Sequence, residues 1–228
     1  MGRPSSGYYT KAGERVPSVT EVLSKFKNPG GLLTWAWKNG HAAGYASAKG
    51  QPAPRTANEE RDQAAQAGQI AHDLLETYIL GKTYEYDGKK PAAIVVQRAN
   101  KGFENGKRWL AGSCIKVVDT ETSLVSETLK FGGTRDAHGV TPDGAHRLLD
   151  WKTSTRIYAD YLIQLGAYAL LAEECEGLKF DGGYDILRFD KEYADFQHYH
   201  FYDLEDAKEA FLLMVKLYPL VVKLEDRV

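Results

Sequence analysis

The spacing of apolar residues changes twice along this chain, and each change marks a shift in secondary structure. Tyr8-Tyr9-Thr10 and Arg15-Val16 flank Lys11-Ala12-Gly13-Glu14, which predicts a short hairpin. Ser18, with Glu21 three residues on, predicts a capped helix through Phe26, broken by Asn28-Pro29-Gly30-Gly31. A second helix is expected over about 32 to 48, then a linker at Gly50-Gln51-Pro52-Ala53-Pro54. Ile70, Leu74, Leu75, Tyr78 and Ile79 recur at helical spacing within a long helix, about 59 to 80, and another spans about 92 to 110. The texture then turns to β. Ile115 to Asp119, Ser123 to Thr128, Phe131 to Val140 and His146 to Lys152 read as strands, with turns at Asp119-Thr120-Glu121 and Thr141-Pro142-Asp143-Gly144. A helix at about 158 to 174, strands near 183 to 188 and 196 to 201, and an amphipathic helix at about 204 to 222 complete the chain. This order predicts an α/β architecture: a central mixed β-sheet flanked by helices on both sides, with a helical N-terminal elaboration at 1–54 and a core at 55–228.

At 228 residues the chain can bury a substantial core, and its composition is that of a globular protein. No apolar run approaches the roughly 18 residues that span a bilayer, and Met1 to Thr10 lacks the apolar stretch of a secretory signal. A cytoplasmic protein without membrane contact is expected. Cys114 and Cys175 lie far apart, so no four-cysteine iron–sulfur cluster or zinc knuckle can form within one chain, and both read as buried thiols. The net charge of −2 argues for no particular partner, but its distribution is uneven. Arg3, Lys11, Arg15, Lys25, Lys27, Lys38 and Lys49 face only Glu14 and Glu21 before residue 55, interleaved with Tyr8, Tyr9, Phe26, Trp35, Trp37 and Tyr45. Two readings stand: a channel for single-stranded nucleic acid, or core aromatics beneath a solvated lysine face.

The strongest candidate chemistry lies between Gly132 and Tyr168. Side chains alternate along a strand, so Asp150 and Lys152 share one face while Trp151 points into packing. The Asp143-Gly144 turn places Asp136 on the neighbouring antiparallel strand. Asp136, Asp150 and the backbone carbonyl of Trp151 would supply hard oxygen ligands for a divalent cation, and Lys152 would orient or deprotonate an attacking water. A lone D-x-K is common by chance. Gln164 and Tyr168, four apart, share one helix face.

Four motifs occur in a fixed order: Gly68 with His72, Gly133 with Asp136, Asp150 with Lys152, and Gln164 with Tyr168. In this the chain resembles the PD-(D/E)XK nuclease superfamily, specifically its RecB-type branch, which includes lambda-exonuclease-like phage enzymes, CRISPR-associated adaptation nucleases and the mitochondrial genome maintenance exonuclease. The resemblance covers about 68 to 168, with a looser likeness at the start of the chain. It implies a restriction-endonuclease-like core using Mg2+ or Mn2+, with His72, Asp136, Asp150 and the Trp151 carbonyl as ligands and Lys152 as the catalytic base or water-orienting group. A satisfied core histidine is the other reading of His72. Glu127 is a further carboxylate, for an outer position or a second metal. Gln164 and Tyr168 would meet the DNA backbone, and Arg135, Thr153 and Ser154 would contact phosphates. Arg135 stands where the superfamily name carries proline. Several relatives hold an iron–sulfur cluster that two cysteines cannot build. The activity so implied is a metal-dependent DNA exonuclease of phage or bacterial recombination or replication, with DNA and a recombination or replication protein as partners. A structure- or sequence-selective endonuclease, or a non-catalytic DNA-end binding protein, are the alternatives.

Overall fold

Helix α1 (Val19–Phe26) begins where the chain supplies its own cap. The Ser18 hydroxyl accepts the Glu21 N–H at 3.0 Å, and the Glu21 carboxylate accepts the Ser18 N–H at 2.7 Å. The computed structural model describes residues 4, 7–27, 30–50, 57–86, 91–154, 156–189 and 196–228. The expected break at Asn28-Pro29 and linker at Gln51 to Pro54 lie outside these residues, as does the boundary between the two segments expected from sequence. Before α1, strands β1 (Tyr8–Tyr9) and β2 (Arg15–Val16) form the expected antiparallel hairpin. Helices α2 (Gly30–Ala48), α3 (Ala57–Ile79) and α4 (Ala93–Ser113) follow, then strands β3 (Lys116–Val125), β4 (Gly132–Val140) and β5 (His146–Lys152). Helix α5 (Ala159–Glu176), strands β6 (Gly183–Phe189) and β7 (Phe196–Phe201), and helix α6 (Glu205–Glu225) complete the order.

Among the described residues the main sheet has the strand order β3-β4-β5-β6-β7. Only β5 and β6 pair in parallel, joined by α5, and the other neighbours are antiparallel. This is the α/β mixed sheet expected from the sequence. On one face, α5 buries Leu165, Tyr168 and Leu171 against Val19, Val22, Phe131, Leu148, Ile186 and Phe211. The Phe131 and Phe211 rings meet edge to face at 4.8 Å. Trp151, Leu149, Leu187 and Phe189 pack with Leu75 of α3 in a second cluster, confirming that Trp151 points into packing. Small residues let α3 and α4 approach: a Cβ on Gly106 would stand 2.6 Å from Leu75 Cδ2. The hairpin is tied to the sheet by the Tyr8 hydroxyl, 2.7 Å from Thr134 Oγ1. The N-terminal segment therefore opens as part of the core.

Two expectations need correction. Asp119-Thr120-Glu121 does not turn the chain; β3 runs through it as one strand, shifting register between Val117 and Asp119, and Glu121 takes φ 47° within it. The strand stays paired because β4 lies alongside, Thr120 opposite Ala137 and Thr122 opposite Arg135. Cys114 and Cys175 are both exposed, for each sits where a helix ends: Cys114 is the left-handed C-cap of α4 and Cys175 lies in the last turn of α5.

Candidate metal and nuclease centre

The geometry begins where the β4–β5 ladder stops. The β4–β5 pairing ends at Ala137 opposite Leu149, and beyond it the Asp136 carboxylate accepts the Trp151 N–H at 2.9 Å. A side chain thus takes the place of a main-chain acceptor, fixing Asp136, 4% exposed, at the end of the ladder. His72 of α3 brings Nδ1 to 3.8 Å from Asp136 Oδ2. From β3 comes Glu121, flanked by the two pairs that bracket Asp136. Ligand atoms of His72, Glu121 and Asp136 all lie within 4.8 Å of one another. Glu121 also holds a left-handed backbone that costs an L-residue roughly 1–2 kcal/mol, a kind of strain that collects at working sites.

Asp150 and Lys152 share a face of β5 as the alternation predicts, and the Lys152 ammonium contacts the Asp150 carboxylate. Burial works to lower the Lys152 pKa, but the Asp150 and Asp136 carboxylates overcome it and hold it above the usual lysine value. The Tyr161 ring covers the same ammonium, with Nζ 5.1 Å from its centroid. The donor set of one imidazole and two carboxylates, with Asp150 adjoining through Lys152, fits a divalent metal ion.

The glycines of the motifs have steric reasons. A Cβ on Gly68 would lie 2.5 Å from Thr153 Oγ1, so glycine there lets α3 lie close to the chain just past β5 with Thr153 as it stands; His72 follows one turn later. On Gly133, a Cβ would meet Tyr168 Cε1 and Val19 Cγ2, each at 2.9 Å. Tyr168 accordingly lies buried beneath β4, and Gln164, also buried, donates Nε2–H to its hydroxyl at 2.9 Å. Thr153 is half-buried beside Gly68, and Ser154 donates its hydroxyl to the Arg156 carbonyl at 2.8 Å.

Two expected residues stand elsewhere. Glu127 is not on a strand: it follows β3 in the turn before β4, and its carboxylate accepts the Lys11 N–H of the hairpin at 2.9 Å. Arg135, 2% exposed, donates to Asp119 at 3.0 Å and also binds Glu176, so two carboxylates occupy the guanidinium expected to meet phosphate. Glu121 is the acid that the sequence did not single out. Its visible signal was parity, since it falls opposite Asp136 once β3 is continuous. The N-terminal aromatics divide between the two readings: Phe26 packs against the main core, while Trp37 is 68% exposed and Tyr45 58%.

No protein-family model and no curated protein matches the chain. Among solved structures it is similar to a candidate exonuclease from Eubacterium rectale, at 14% identity and a TM-score of 0.49, over 99% of this chain and 87% of that one. It is also similar to an alkaline exonuclease from Laribacter hongkongensis, at 15% identity and a TM-score of 0.35, over 71% and 92%. That exonuclease in complex with dAMP aligns at 14% identity and a TM-score of 0.36, over 72% and 92%. No helix among the described residues is long and apolar enough to cross a membrane.

Proposed function

We propose that the chain is a metal-dependent DNA exonuclease of the PD-(D/E)XK type that hydrolyses phosphodiester bonds from DNA ends. One observation carries this reading: His72, Glu121 and Asp136 converge to within 4.8 Å beside the Asp150–Lys152 pair. A phosphodiester resists hydrolysis because water is a weak nucleophile and the phosphate is negatively charged. A bound Mg2+ or Mn2+ supplies a more acidic water and positive charge toward the phosphate oxygens. His72, Glu121 and Asp136 would hold it, with Asp150 and the Trp151 carbonyl as further oxygens. Asp136 is itself oriented by the Trp151 N–H. Asp150 holds the Lys152 ammonium in place, and Lys152 orients the attacking water and stabilises charge building on the phosphate. Within residues 1–54, the exposed Trp37 and Tyr45 would guide a strand end, while the hairpin and α1 pack against the nuclease core of 55–228, and the protein would act in phage or bacterial recombination or replication.

Purified protein with Mg2+ or Mn2+ is expected to degrade linear DNA, to leave covalently closed circles intact and to stop when the metal is chelated. Lys152→Ala should cut the rate by about 10²- to 10⁴-fold while metal binding persists. Cleavage of circles would move the reading to an endonuclease; an equal rate for Lys152→Ala would remove the lysine from the mechanism.

A further inference from the structure

The N-cap of α5 breaks a local rule. Helix N-caps favour Ser, Thr, Asp or Asn, whose side chains accept a free backbone N–H. Tyr158 occupies this position with φ −123° and ψ 152° and makes no side-chain cap bond. Nor is its ring there to fill the core. Tyr158 is 40% exposed, whereas Tyr168 on the same helix is 4% exposed. Departures from local consistency of this kind concentrate at functional positions.

What surrounds the ring gives it a function. The exposed Arg156 guanidinium lies over it, Cζ 4.8 Å from the centroid. The Tyr161 ring meets it edge to face, centroids 5.5 Å apart and planes at 85°. Tyr161 in turn covers the Lys152 ammonium. Two adjoining rings therefore lie between an exposed cation and the lysine of the candidate site: Arg156, Tyr158, Tyr161, Lys152. Asp160, the acid in the first turn of α5, faces Lys27 at 3.7 Å, which offsets its charge. Unpaired bases stack on exposed aromatic faces, and guanidinium groups bind phosphate or stack on bases themselves. A base within a duplex already has its faces covered by its neighbours, so a ring of this kind selects a nucleotide free of the stack.

We propose that Tyr158 and Arg156 form a nucleobase-stacking subsite beside the reacting phosphodiester, so that the strand entering the centre does so with an unpaired nucleotide held on Tyr158. This subsite presupposes the nuclease reading above and goes beyond it in naming the form of the substrate. Tyr161 is then a positioning residue, linking the stacked base to the lysine.

Oligonucleotides carrying 2-aminopurine at successive positions from one end, bound with Ca2+ in place of Mg2+, provide the test. Wild-type protein should alter the fluorescence strongly at one position; Tyr158→Leu should lose that signal and Tyr158→Trp should keep it. Equal signals for wild type and Tyr158→Leu at every position would overturn the subsite. With Mg2+ or Mn2+, an abasic residue at that same position should slow the wild type about tenfold and leave Tyr158→Leu indifferent. Equal wild-type rates on intact and abasic strands would also overturn it. A wild type that cleaves no DNA at all would instead remove the nuclease reading, while the fluorescence still decides whether Tyr158 stacks a base.

Discussion

Strands β3 and β4 carry two clusters of acids and histidines within a few residues of each other, and the two have opposite characters. In the first, Asp119 is saturated from within: Arg135 donates at 3.0 and 3.1 Å, Thr122 at 2.8 Å, and His138 stands 3.1 Å away while its other nitrogen lies 2.8 Å from His146. In the second, Asp136 has one main-chain N–H, a histidine at 3.8 Å and a second carboxylate, Glu121, beside it, while the Lys152 ammonium that feels its charge is in contact with Asp150. Acids that carry their own guanidinium are held as structure. Acids gathered with another acid and an imidazole instead form the group proposed above to hold a cation from outside. Residue type alone does not separate the clusters; the placing of Arg135 does.

The comparison breaks most readily at the second cluster. Glu121→Gln or Asp136→Asn should weaken Mn2+ binding by about a hundredfold or more, with thermal stability little changed, and a calorimetric titration reads this directly. Unchanged affinity for both variants would place the cation elsewhere. At the first cluster the effect should fall on folding instead. Arg135→Met removes a buried cation from between Asp119 and Glu176, and should cost about 3 kcal/mol in denaturant unfolding while Mn2+ affinity is retained.

Acid exposes the same asymmetry more gently. Burial alone would raise the Asp119 pKa, but the hydrogen bonds from His138 and Thr122 and the Arg135 charge reverse this and bring it from 3.8 to about 2. A carboxyl whose folded pKa is lowered contributes stability above its unfolded pKa and loses it as pH falls toward the folded one. Between about pH 4 and pH 2, metal-free wild type should therefore lose about 1–2 kcal/mol more than Asp119→Asn, allowing for the carboxylate's partial exposure. Parallel unfolding curves for the two proteins across that window would contradict the assignment.

Much of this was legible in the sequence where local chemistry is self-contained. The Ser18–Glu21 capping box, the Asp143-Gly144 hairpin turn and the alternation through Asp150-Trp151-Lys152 each act over a few residues, and each holds in the structure. The middle of β3 was not legible, because Asp119-Thr120-Glu121 has the polarity of a turn and is kept extended only by its partner strand. That same misreading hid Glu121 and promoted Glu127, since splitting the strand changes which acid falls opposite Asp136. Arg135 failed for a related reason: its neighbours Asp119 and Glu176 are 16 and 41 residues away in sequence. The exposed cysteines follow from helix ends that composition does not reveal.

Gly68 extends this to dimensions. No side chain separates α3 from Thr153, so the spacing between helix and sheet is set by a missing methyl group. His72 sits on that helix one turn further along, and metal–ligand distances tolerate only about 0.2 Å. In the proposed metal centre the placing of His72 would thus depend on an atom the chain leaves out, at a position that itself supplies no ligand.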